Sequence, residues 1–588
     1  MSATPEQLRA IKARGEVLVS ASAGAGKTTV MIKRLADILE DGASLDNVLA
    51  VTFTKKAAAQ MKEKLRRELI ARLDTDDVQK RENIRLQLSK INSAEISTIH
   101  SFCARLVRTY FYVLKVDASF EVLADGAEQS ALRARAMDDL FDGLYKSQDK
   151  DFFVLLDKLR KKRSDKALKE LVHTAYDEVR QRPRWEELLS AAESGTFTGE
   201  GFKRVCAAYA ESLEKKYSVL VGAIDNFTKD FKPAVNAEGY FKVLAEMRDT
   251  LICAMVDGNP FSLPSKLCTA VKPRVKAEVA DDDAAFSRFC DGVKKKYKAL
   301  TKDMETEEVE RARFLESGVV ANAFSRLVKQ FAEAYEGVKR EEGKLDYGDL
   351  EHFALALLKG DGCDGDVREG IRDKYKYVFV DEYQDVNPIQ DEIISAVSGG
   401  DIFCVGDLKQ AIYGFRGSRS RFFSEKCGQV SGRGEYIILP DNFRSGEGVI
   451  DFVNSLFSGI MKPPVCEFDY SDGHAMRGGA MYNGNRGKAE ICLFEGGDNA
   501  KKEARGVYSV SGEKTAAKEF SAEGLAVLTL VEEALKSEYY DSDRGAFVKV
   551  QAGDICVLTR KRANKSAQEI VRALSAKYPV AGAAEVNI

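Results

Sequence analysis

The sequence predicts an α/β protein with a parallel sheet, interrupted by a long helical segment. Over the first hundred residues, short apolar runs alternate with helical stretches, which is the pattern of a parallel sheet. Residues 113–344 then carry long, charged amphipathic stretches with few strand signals, and the strand-then-turn pattern returns after them. The simplest interpretation is one α/β domain with a large helical insertion, followed by a second α/β region.

Length and composition agree with this division. The 588 residues exceed what one hydrophobic core supports, so we predict several domains. The expected bounds are 1–112 and 345–436 for the two parts of the first α/β domain, 113–344 for the helical insertion, and 437–588 for an incomplete second α/β domain. A content of 44% hydrophobic and 31% charged residues indicates a soluble globular chain.

The composition also excludes several classes of function. No run of eighteen apolar residues occurs and the N-terminus is polar, so we expect a cytoplasmic protein with no membrane partner. The net charge of −3 means that any DNA-binding surface must be local. The 11 cysteines form no Cys-x-x-Cys pair and only four histidines occur, so we interpret the cysteines as reduced thiols, not as a metal site.

The expected elements follow in chain order. The first strand is 17–19, the first helix 28–39 and the second strand "VLAVTFT" (48–54), with the amphipathic helix "KKAAAQMKEKLRRELIARL" behind it. After the insertion, strands are expected in "KYKYVFVDEYQD" (374–385) and "GGDIFCVGD" (399–407). Beyond "IILPDNFRS" (437–445), the segments "KAEICLF" and "DICVLTR" are the candidate strands of the second α/β region.

A glycine-rich turn between the first strand and the first helix fits a phosphate-binding P-loop, except that alanine replaces its first glycine. The turn comprises Ala21, Ser22, Ala23, Gly24, Ala25, Gly26, Lys27, Thr28 and Thr29. Its two glycines let backbone N–H groups point at phosphate oxygens. Lys27 would reach the β/γ-phosphates and the Thr28 hydroxyl would ligate Mg²⁺. The alternative is an ordinary strand–helix turn.

Two acids follow a second apolar run. In "YVFVDEYQD", Asp381 and Glu382 come at the carboxyl end of a predicted strand, where ligand sites of open α/β sheets lie. Asp381 would hold Mg²⁺, and Glu382 would orient and deprotonate an attacking water. An acidic loop after a buried strand is the alternative, and the co-occurrence of Lys27 and Thr28 argues against it.

These residues belong to a longer series of motifs. In order, the chain shows "TPEQLRAI", "SAGAGKT", "AVTFTKKAAAQMKEKL", "STIHSFCARL", "LDYGDL", "VFVDEYQD", "VGDLKQAIYGFRGS" and "LPDNFRS". The series closely resembles superfamily 1A DNA helicases of the UvrD/Rep/RecB type, and within them the A subunits of bacterial AddAB helicase–nucleases. The resemblance implies a RecA-like P-loop NTPase domain with a large helical insertion, plus part of a second RecA-like domain.

The resemblance also implies ATP and Mg²⁺ as cofactors and assigns roles at the nucleotide. Gln7 matches the residue that recognises the adenine edge, and Phe443 the aromatic against the adenine face. Gln410 matches the γ-phosphate sensor, and Arg444 the arginine that stabilises transition-state charge. With Lys27 and Glu382, Gln410 and Arg444 form the expected catalytic set.

A second set of matched positions concerns single-stranded DNA. The expected DNA-binding residues are Thr52, Phe53, His100, Tyr413, Phe415 and Arg416. Aromatic stacking at such positions ignores base identity. From the pattern alone, Phe53 is equally well a core residue and His100 a structural histidine. The basic runs 158–166 and 294–298 either meet duplex phosphates or form solvated helix faces.

The resemblance leads to a 3′-to-5′ DNA helicase motor for double-strand-break repair, with an AddB-like protein as its partner. The later helicase motifs and a nuclease domain are not found before Ile588, so we expect a truncated chain with weak activity of its own. A stand-alone UvrD-like repair helicase is the alternative within the class. Outside the class, the alternatives are a non-motor P-loop ATPase switch and a catalytically dead DNA-binding subunit.

Overall fold

The computed structural model divides into two compact units. The first comprises Met1–Ser22, Gly26–Leu439 and Ile460–His474, and the second Ala23–Ala25, Pro440–Gly459 and Ala475–Ile588. Within them the structure describes residues 3–124, 126–159, 164–193, 196–233, 237–262, 264, 266–270, 280–302, 305–360, 367–412, 414, 420–463, 466, 468–478, 487, 489–493, 520–541, 544–559 and 565–581.

Twelve strands occur in the described part of the chain. They are β1 (Glu16–Ala21), β2 (Val48–Thr52), β3 (Glu95–Thr98), β4 (Glu121–Leu123), β5 (Lys344–Asp346), β6 (Tyr377–Val380), β7 (Asp401–Gly406), β8 (Glu435–Leu439), β9 (Asp441–Asn442), β10 (Arg477–Gly478), β11 (Glu538–Asp541) and β12 (Ala546–Lys549).

Helices make up most of the remaining described elements. They are α1 (Pro5–Lys12), α2 (Lys27–Glu40), α3 (Lys55–Ala71), α4 (Val78–Lys90), α5 (Ile99–Thr109), α6 (Phe111–Leu114), α7 (Ala127–Ser147), α8 (Lys150–Leu159), α9 (Lys166–Arg180), α10 (Trp185–Glu193), α11 (Gly199–Asp230), α12 (Ala237–Asp257), α13 (Ala280–Thr301), α14 (Glu307–Glu341), α15 (Tyr347–Lys359), α16 (Arg368–Lys374), α17 (Pro388–Val397), α18 (Ser420–Arg433), α19 (Glu447–Ile460), α20 (Ala522–Ala534) and α21 (Lys565–Ser575).

A six-stranded sheet in the first unit confirms the predicted parallel α/β architecture. Its strand order is β3-β2-β6-β7-β1-β8, and every pairing in it is parallel. Strand β2 is buried along its whole length, as expected for a strand covered on both faces. It ends two residues earlier than predicted because Thr54 caps α3, with its side chain accepting the Ala57 N–H.

The sheet core joins the sequence up to Phe120 to the sequence from Leu350 onward. Buried residues of β1, β2 and β6 pack with α5, α15 and α17; the cluster includes Leu18, Val51, Phe102, Leu350 and Ile393. All carboxyl ends of these strands meet at one edge, so the loops after β1, β2, β6 and β7 are brought together there.

Eight helices, α7 to α14, occupy the described residues between Ala127 and Glu341. They enclose two separate cores, one around Phe141 and Phe331, the other around Tyr217 and Phe286. Just outside this stretch, β4 pairs in parallel with β5. The chain therefore enters and leaves the eight-helix stretch through two adjacent strands.

The second unit contains two small two-stranded sheets and a helix pair. Strand β9 pairs with β10, β11 pairs with β12, and α20 packs on α21 through Leu528, Val531, Ile570 and Leu574. The two candidate strands predicted for this region were wrong in their described parts, since 489–493 and 555–559 have no regular structure. Leu493 and Leu558 are about nine-tenths exposed, and no described strand pairs with either segment.

None of the helices that the structure describes is long and apolar enough to cross a membrane.

Candidate functional site

The P-loop connects the end of β1 to the start of α2. Gly24 and Gly26 have φ angles of 74° and 79°, a left-handed conformation that strongly favours glycine. Gly26 is also the N-cap of α2, and no side chain of the described residues caps the first N–H groups of this helix. Those groups and the positive end of the helix are therefore available to bind an anion.

Gly24 belongs to the second unit, together with two predicted nucleotide residues. A Cβ at Gly24 would lie 2.7 Å from Oδ1 of Asn442 and 2.8 Å from Cβ of Arg444, so no larger residue fits. The Phe443 N–H donates to the Gly24 carbonyl at 3.0 Å. The Asn442 side chain accepts the N–H of Arg444 at 2.8 Å, which orders the backbone on which Phe443 and Arg444 stand.

The P-loop lysine is paired with the second predicted acid. The Nζ of Lys27 lies 2.8 Å from Oε2 of Glu382, and the lysine side chain is 13% exposed. Glu382 follows β6 with a φ of 53°, which is uncommon for a residue with a side chain. Such strain is found where surrounding structure imposes a functional geometry.

The first predicted acid is desolvated. Asp381 is 9% exposed, and its Oδ1 accepts the Glu382 N–H at 3.0 Å. Burial raises the pKa of Asp381 to about 6; the Glu382 carboxylate adds to the rise and Lys27 opposes it. Asp381 and the Thr28 hydroxyl, in the first turn of α2, provide the hard oxygen donors that Mg²⁺ prefers. These residues fit a magnesium ion, since a buried carboxylate gains from a nearby cation.

A hydrogen-bond network that sequence reasoning missed extends from Glu382 to the predicted sensor Gln410. Gln384 Nε2 donates to Oε2 of Glu382 at 2.8 Å, and its Oε1 accepts the Asp407 N–H at 2.8 Å. The Asp407 carboxylate accepts from Gln410 Nε2 at 2.7 Å and from Lys409 Nζ at 2.9 Å. The only sequence signal was the presence of Gln384 and Asp407 inside the quoted motifs.

Gln7 lies beside the P-loop in the first unit. Its Oε1 accepts the Thr4 N–H at 3.1 Å in a capping box at the start of α1. A Cβ at Gly26 would lie 3.3 Å from Gln7 Nε2, so the amide is next to the loop. The helix cap therefore holds the amide of Gln7 next to the P-loop.

A cleft of about 860 Å³ brings together two of the predicted DNA residues. Its walls include Phe53, His100, Tyr347 and Asp385. His100 Nε2 lies 3.1 Å from Oε1 of Glu351, and its ring centroid lies 4.4 Å from that of Tyr347. Thr52 is buried and its hydroxyl donates to the Thr54 carbonyl at 3.1 Å. Tyr413, Phe415 and Arg416 lie outside the described residues.

The acid that closes the "DEYQD" motif links the cleft to the acidic pair. Asp385 lines the cleft and is 8% exposed. Its Oδ1 has no hydrogen-bond partner among the described residues. Burial, with help from Glu382, raises the pKa of Asp385 to about 6. One short turn therefore places Glu382 at Lys27 and Asp385 in the cleft.

A buried ionic cluster supports the wall of the cleft. Lys339 of α14 is 2% exposed and pairs with Asp346 at 3.1 Å and with Asp349. Arg180 of α9 pairs with Asp349 at 3.0 Å. Burial opposes ionisation of Asp346, yet Lys339 and Arg180 hold its pKa below the usual range. Two cations thus balance two acids at the start of α15, the helix that carries Tyr347 and Glu351.

The same helix is joined to α9 by a second contact. His352 Nε2 lies 2.9 Å from the Arg180 carbonyl oxygen, and burial together with the Arg180 charge lowers the pKa of His352 to about 3. The imidazole is therefore neutral at physiological pH and donates this hydrogen bond from Nε2.

This geometry defines a P-loop ATPase site next to a cleft with an aromatic wall, and a family comparison identifies the class. Residues 3–430 match the model of the UvrD/REP helicase N-terminal domain. The chain belongs to this family, whose members are ATP-hydrolysing DNA helicases.

Curated relatives make the resemblance more specific. The chain is 31% identical over 605 residues to the A subunit of the ATP-dependent helicase/nuclease of Ligilactobacillus salivarius, covering 95% of this chain and 47% of the relative. It is 33% identical to the protein of the same name from Carboxydothermus hydrogenoformans, covering 97% and 49%. The Bacillus licheniformis protein of that name is 31% identical, with 95% and 47% covered. The chain spans about half the length of these relatives.

Proposed function

We propose that this chain is the motor portion of an AddA-like ATP-dependent DNA helicase that moves 3′-to-5′ along single-stranded DNA in double-strand-break repair. The observation that carries the proposal is the Lys27–Glu382 pair at 2.8 Å, on the same sheet edge as a cleft lined by Phe53 and His100. The names of the relatives support the AddA-like assignment, and polarity and pathway rest on the motif resemblance.

In this proposal, residues 1–112 and 345–436 form the first RecA-like domain, 113–344 its helical insertion and 437–588 part of the second RecA-like domain. The sheet built from β1–β3 and β6–β8 supports the first assignment, and helices α7–α14 support the second. Single-stranded and duplex DNA are the substrates, an AddB-like protein is the partner, and the cytoplasm is the location.

ATP is held by the P-loop residues 21–29, with Gln7 and Phe443 at the adenine. Lys27 binds the β/γ-phosphates, and Thr28 and Asp381 hold Mg²⁺, which supplies charge neutralisation at the phosphates when bound. Glu382 orients the attacking water, Gln410 senses the γ-phosphate and Arg444 stabilises the charge that develops on it. The desolvated state of Asp381 and the uncapped start of α2 support this arrangement.

Single-stranded DNA occupies the cleft in this proposal. Phe53 and His100, together with Thr52, Tyr413, Phe415 and Arg416, make the contacts, with bases stacked on the aromatic rings. The cleft volume of about 860 Å³ accommodates part of a strand, which supports the assignment.

The test is ATP turnover and strand binding by Lys27→Ala. The variant is expected to lose ATP turnover and to retain binding of a fluorescent oligothymidine, because Lys27 meets the nucleotide and not the strand. Lys33→Ala, on the same helix α2, is the matched control and should behave as the unaltered chain. Measurable ATP turnover that is equal in Lys27→Ala and Lys33→Ala would refute the nucleotide site. An ATP affinity that is the same with and without single-stranded DNA would favour a non-motor ATPase switch.

A further inference from the structure

Gln384 joins two parts of the ATPase site, the acid Glu382 and the segment that begins at Asp407. Its amide N–H₂ donates to Glu382 Oε2, the same oxygen that Lys27 contacts, and both distances are 2.8 Å. Its amide oxygen accepts the Asp407 N–H at 2.8 Å. The residue is 3% exposed and Asp407 is fully buried. The part of the network between Gln384 and Asp407 is therefore shielded from water, whereas the Glu382 side chain is 39% exposed.

At position 384 the geometry requires a side chain that both donates a hydrogen bond and accepts one. Ionised Glu382 only accepts hydrogen bonds and the Asp407 N–H only donates, so the two ends of the Gln384 amide are assigned without ambiguity. A carboxylate at position 384 would repel Glu382, and an apolar side chain would leave the buried Asp407 N–H unpaired.

The backbone around this amide is shaped to admit it. A Cβ at Gly406 would lie 2.7 Å from Gln384 Oε1 and 2.8 Å from the Phe423 ring. Glycine at position 406, between the last apolar residue of β7 and Asp407, is therefore what allows the Gln384 side chain to lie across the strand end. Gly406 has an ordinary φ angle, so close approach explains its identity better than backbone conformation does.

The two neighbours of Gln384 in the same turn face different ligands. Glu382 faces Lys27, and Asp385 lines the cleft with Phe53 and His100. On the other side of the amide, Asp407 holds Gln410 and Lys409. A nucleotide phosphate at Lys27 would compete with Glu382 Oε2 for the lysine and leave the Gln384 donor in place. A strand beside Asp385 would restrain the turn on which Gln384 stands.

We infer that Gln384 is a positioning residue that couples ATP binding to single-stranded DNA binding, by tying Glu382 to the segment Asp407–Gln410. The inference rests on the proposed function and adds to it a residue through which the two sites communicate. Coupling is reciprocal, so the effect of DNA on ATP affinity measures it.

The experiment titrates a fluorescent ATP analogue with Mg²⁺ into the 588-residue chain, with and without a sixteen-nucleotide oligothymidine. We expect the oligothymidine to change the ATP affinity of the unaltered chain by a factor in the range of roughly 5–150. In Gln384→Met this factor should fall to within about twofold of one. Gly406→Ala, which pushes on the amide from the other side, should reduce the factor in the same direction.

The matched control is Gln87→Met. Gln87 is 1% exposed and its Oε1 accepts the Leu45 N–H at 2.9 Å. The Gln87→Met variant therefore loses an equally buried amide that lies outside the network. Its coupling factor should equal that of the unaltered chain. A reduced factor in Gln87→Met would attribute the effect to general destabilisation and overturn the inference.

Measuring Gln384→Glu at two pH values separates an effect on the position of Glu382 from an effect on folding, within one variant. A protonated glutamic acid donates one hydrogen bond and accepts another as the amide does, whereas its carboxylate repels Glu382. The coupling factor should therefore approach that of the unaltered chain at pH 6 and be lost at pH 8.5. Asp381 and Asp385 also titrate in this range. The charged groups Glu382, Asp407, Lys27 and Lys409 surround the amide. The coupling factor of the variant is therefore divided by that of the unaltered chain at the same pH.

The outcomes distinguish the inference from the proposed function. If DNA does not change the ATP affinity of the unaltered chain, both the inference and the proposed function are overturned. A coupled unaltered chain with equal coupling in Gln384→Met would overturn the inference and leave the proposed function standing.

Discussion

The imidazole Nε2 of His100 lies 3.1 Å from Oε1 of Glu351, so a residue at the start of α5 is anchored by an acid on α15. The same Glu351 oxygen accepts from Gln390 Nε2 at 2.7 Å, and Glu351 is 5% exposed. The position of the histidine in the cleft wall is thus set by a buried acceptor rather than by the backbone of α5 alone.

Replacing this acceptor should weaken strand binding. In Glu351→Leu, His100 loses its anchor, and oligothymidine affinity is expected to fall by roughly 1 kcal/mol, the usual value of one hydrogen bond. Glu351→Gln retains an acceptor oxygen and should bind nearly as the unaltered chain does. Fluorescence anisotropy measures both, and equal affinities of the two variants would contradict the anchoring role.

Phe53→Ala should weaken single-strand binding without changing base preference. Loss of one stacking platform is expected to cost about 1–3 kcal/mol, by similar amounts for oligothymidine, oligocytidine and oligoadenosine, because every base has a stacking face. Tyr112→Ala is the control, since Tyr112 is 62% exposed and does not line the cleft. A loss confined to one base type would show that Phe53 acts by something other than stacking.

Asp381 should make the nucleotide-free chain more stable as the pH falls. Its folded pKa of about 6 lies above the ordinary 3.8, so the folded state favours the protonated form. The stabilising contribution is complete below about pH 4 and is lost as the pH rises through about 6, amounting to up to about 3 kcal/mol.

The measurement is urea unfolding followed by circular dichroism in EDTA between pH 5 and 7.5. Asp381→Asn should show a smaller but not zero loss of stability over this range, because Asp385 and other groups with shifted pKa values, such as Asp177, still contribute to the slope. Asp76→Asn, at an exposed loop residue, should keep the slope of the unaltered chain. An unchanged slope in Asp381→Asn would show that this carboxylate is not desolvated.

The contribution of the buried cluster at the start of α15 to the free energy of unfolding should depend on its charge balance rather than on the number of ion pairs. Lys339→Met leaves two acids against Arg180 alone and is expected to destabilise the chain by about 3–5 kcal/mol. Adding Asp346→Asn restores the balance, keeps the Arg180–Asp349 pair and retains an oxygen to cap α15, so the double variant should recover much of the loss. Fluorescence of Trp185, whose ring lies 5.4 Å from the Arg180 guanidinium, reports the transition. A double variant less stable than Lys339→Met would contradict this account.

Chain order and apolar patterning were enough to predict the sheet edge on which the site stands. Lys27 and Glu382 each follow an apolar run, and the ends of parallel strands share one edge, which is why they were expected together. Their pairing at 2.8 Å and the left-handed conformation of Glu382 were not predictable, because neither periodicity nor residue type specifies a side-chain distance.

Long-range side-chain contacts account for what the sequence did not show. The Gln384–Asp407 hydrogen bond and the Lys339–Asp349 ion pair depend on how distant segments pack. Residue type alone does not show whether an amide is buried or exposed. His100 could not be told from a structural histidine by its motif, and the structure places it in the cleft wall. The two mistaken strands show a related limit, since alternating apolar residues make a strand only when a neighbouring strand pairs with them.

The order of strands in the sheet has a consequence for biosynthesis. Strands β1 and β2 never touch each other; β6 and β7 lie between them, although the latter pair is encoded hundreds of residues later. While the ribosome translates the intervening helices, at about 5–20 residues per second, β1 remains without either neighbour and β2 has only β3 beside it for roughly 20–70 s. Unpaired strand edges are templates for aggregation, so the nascent chain should depend on chaperones during this interval.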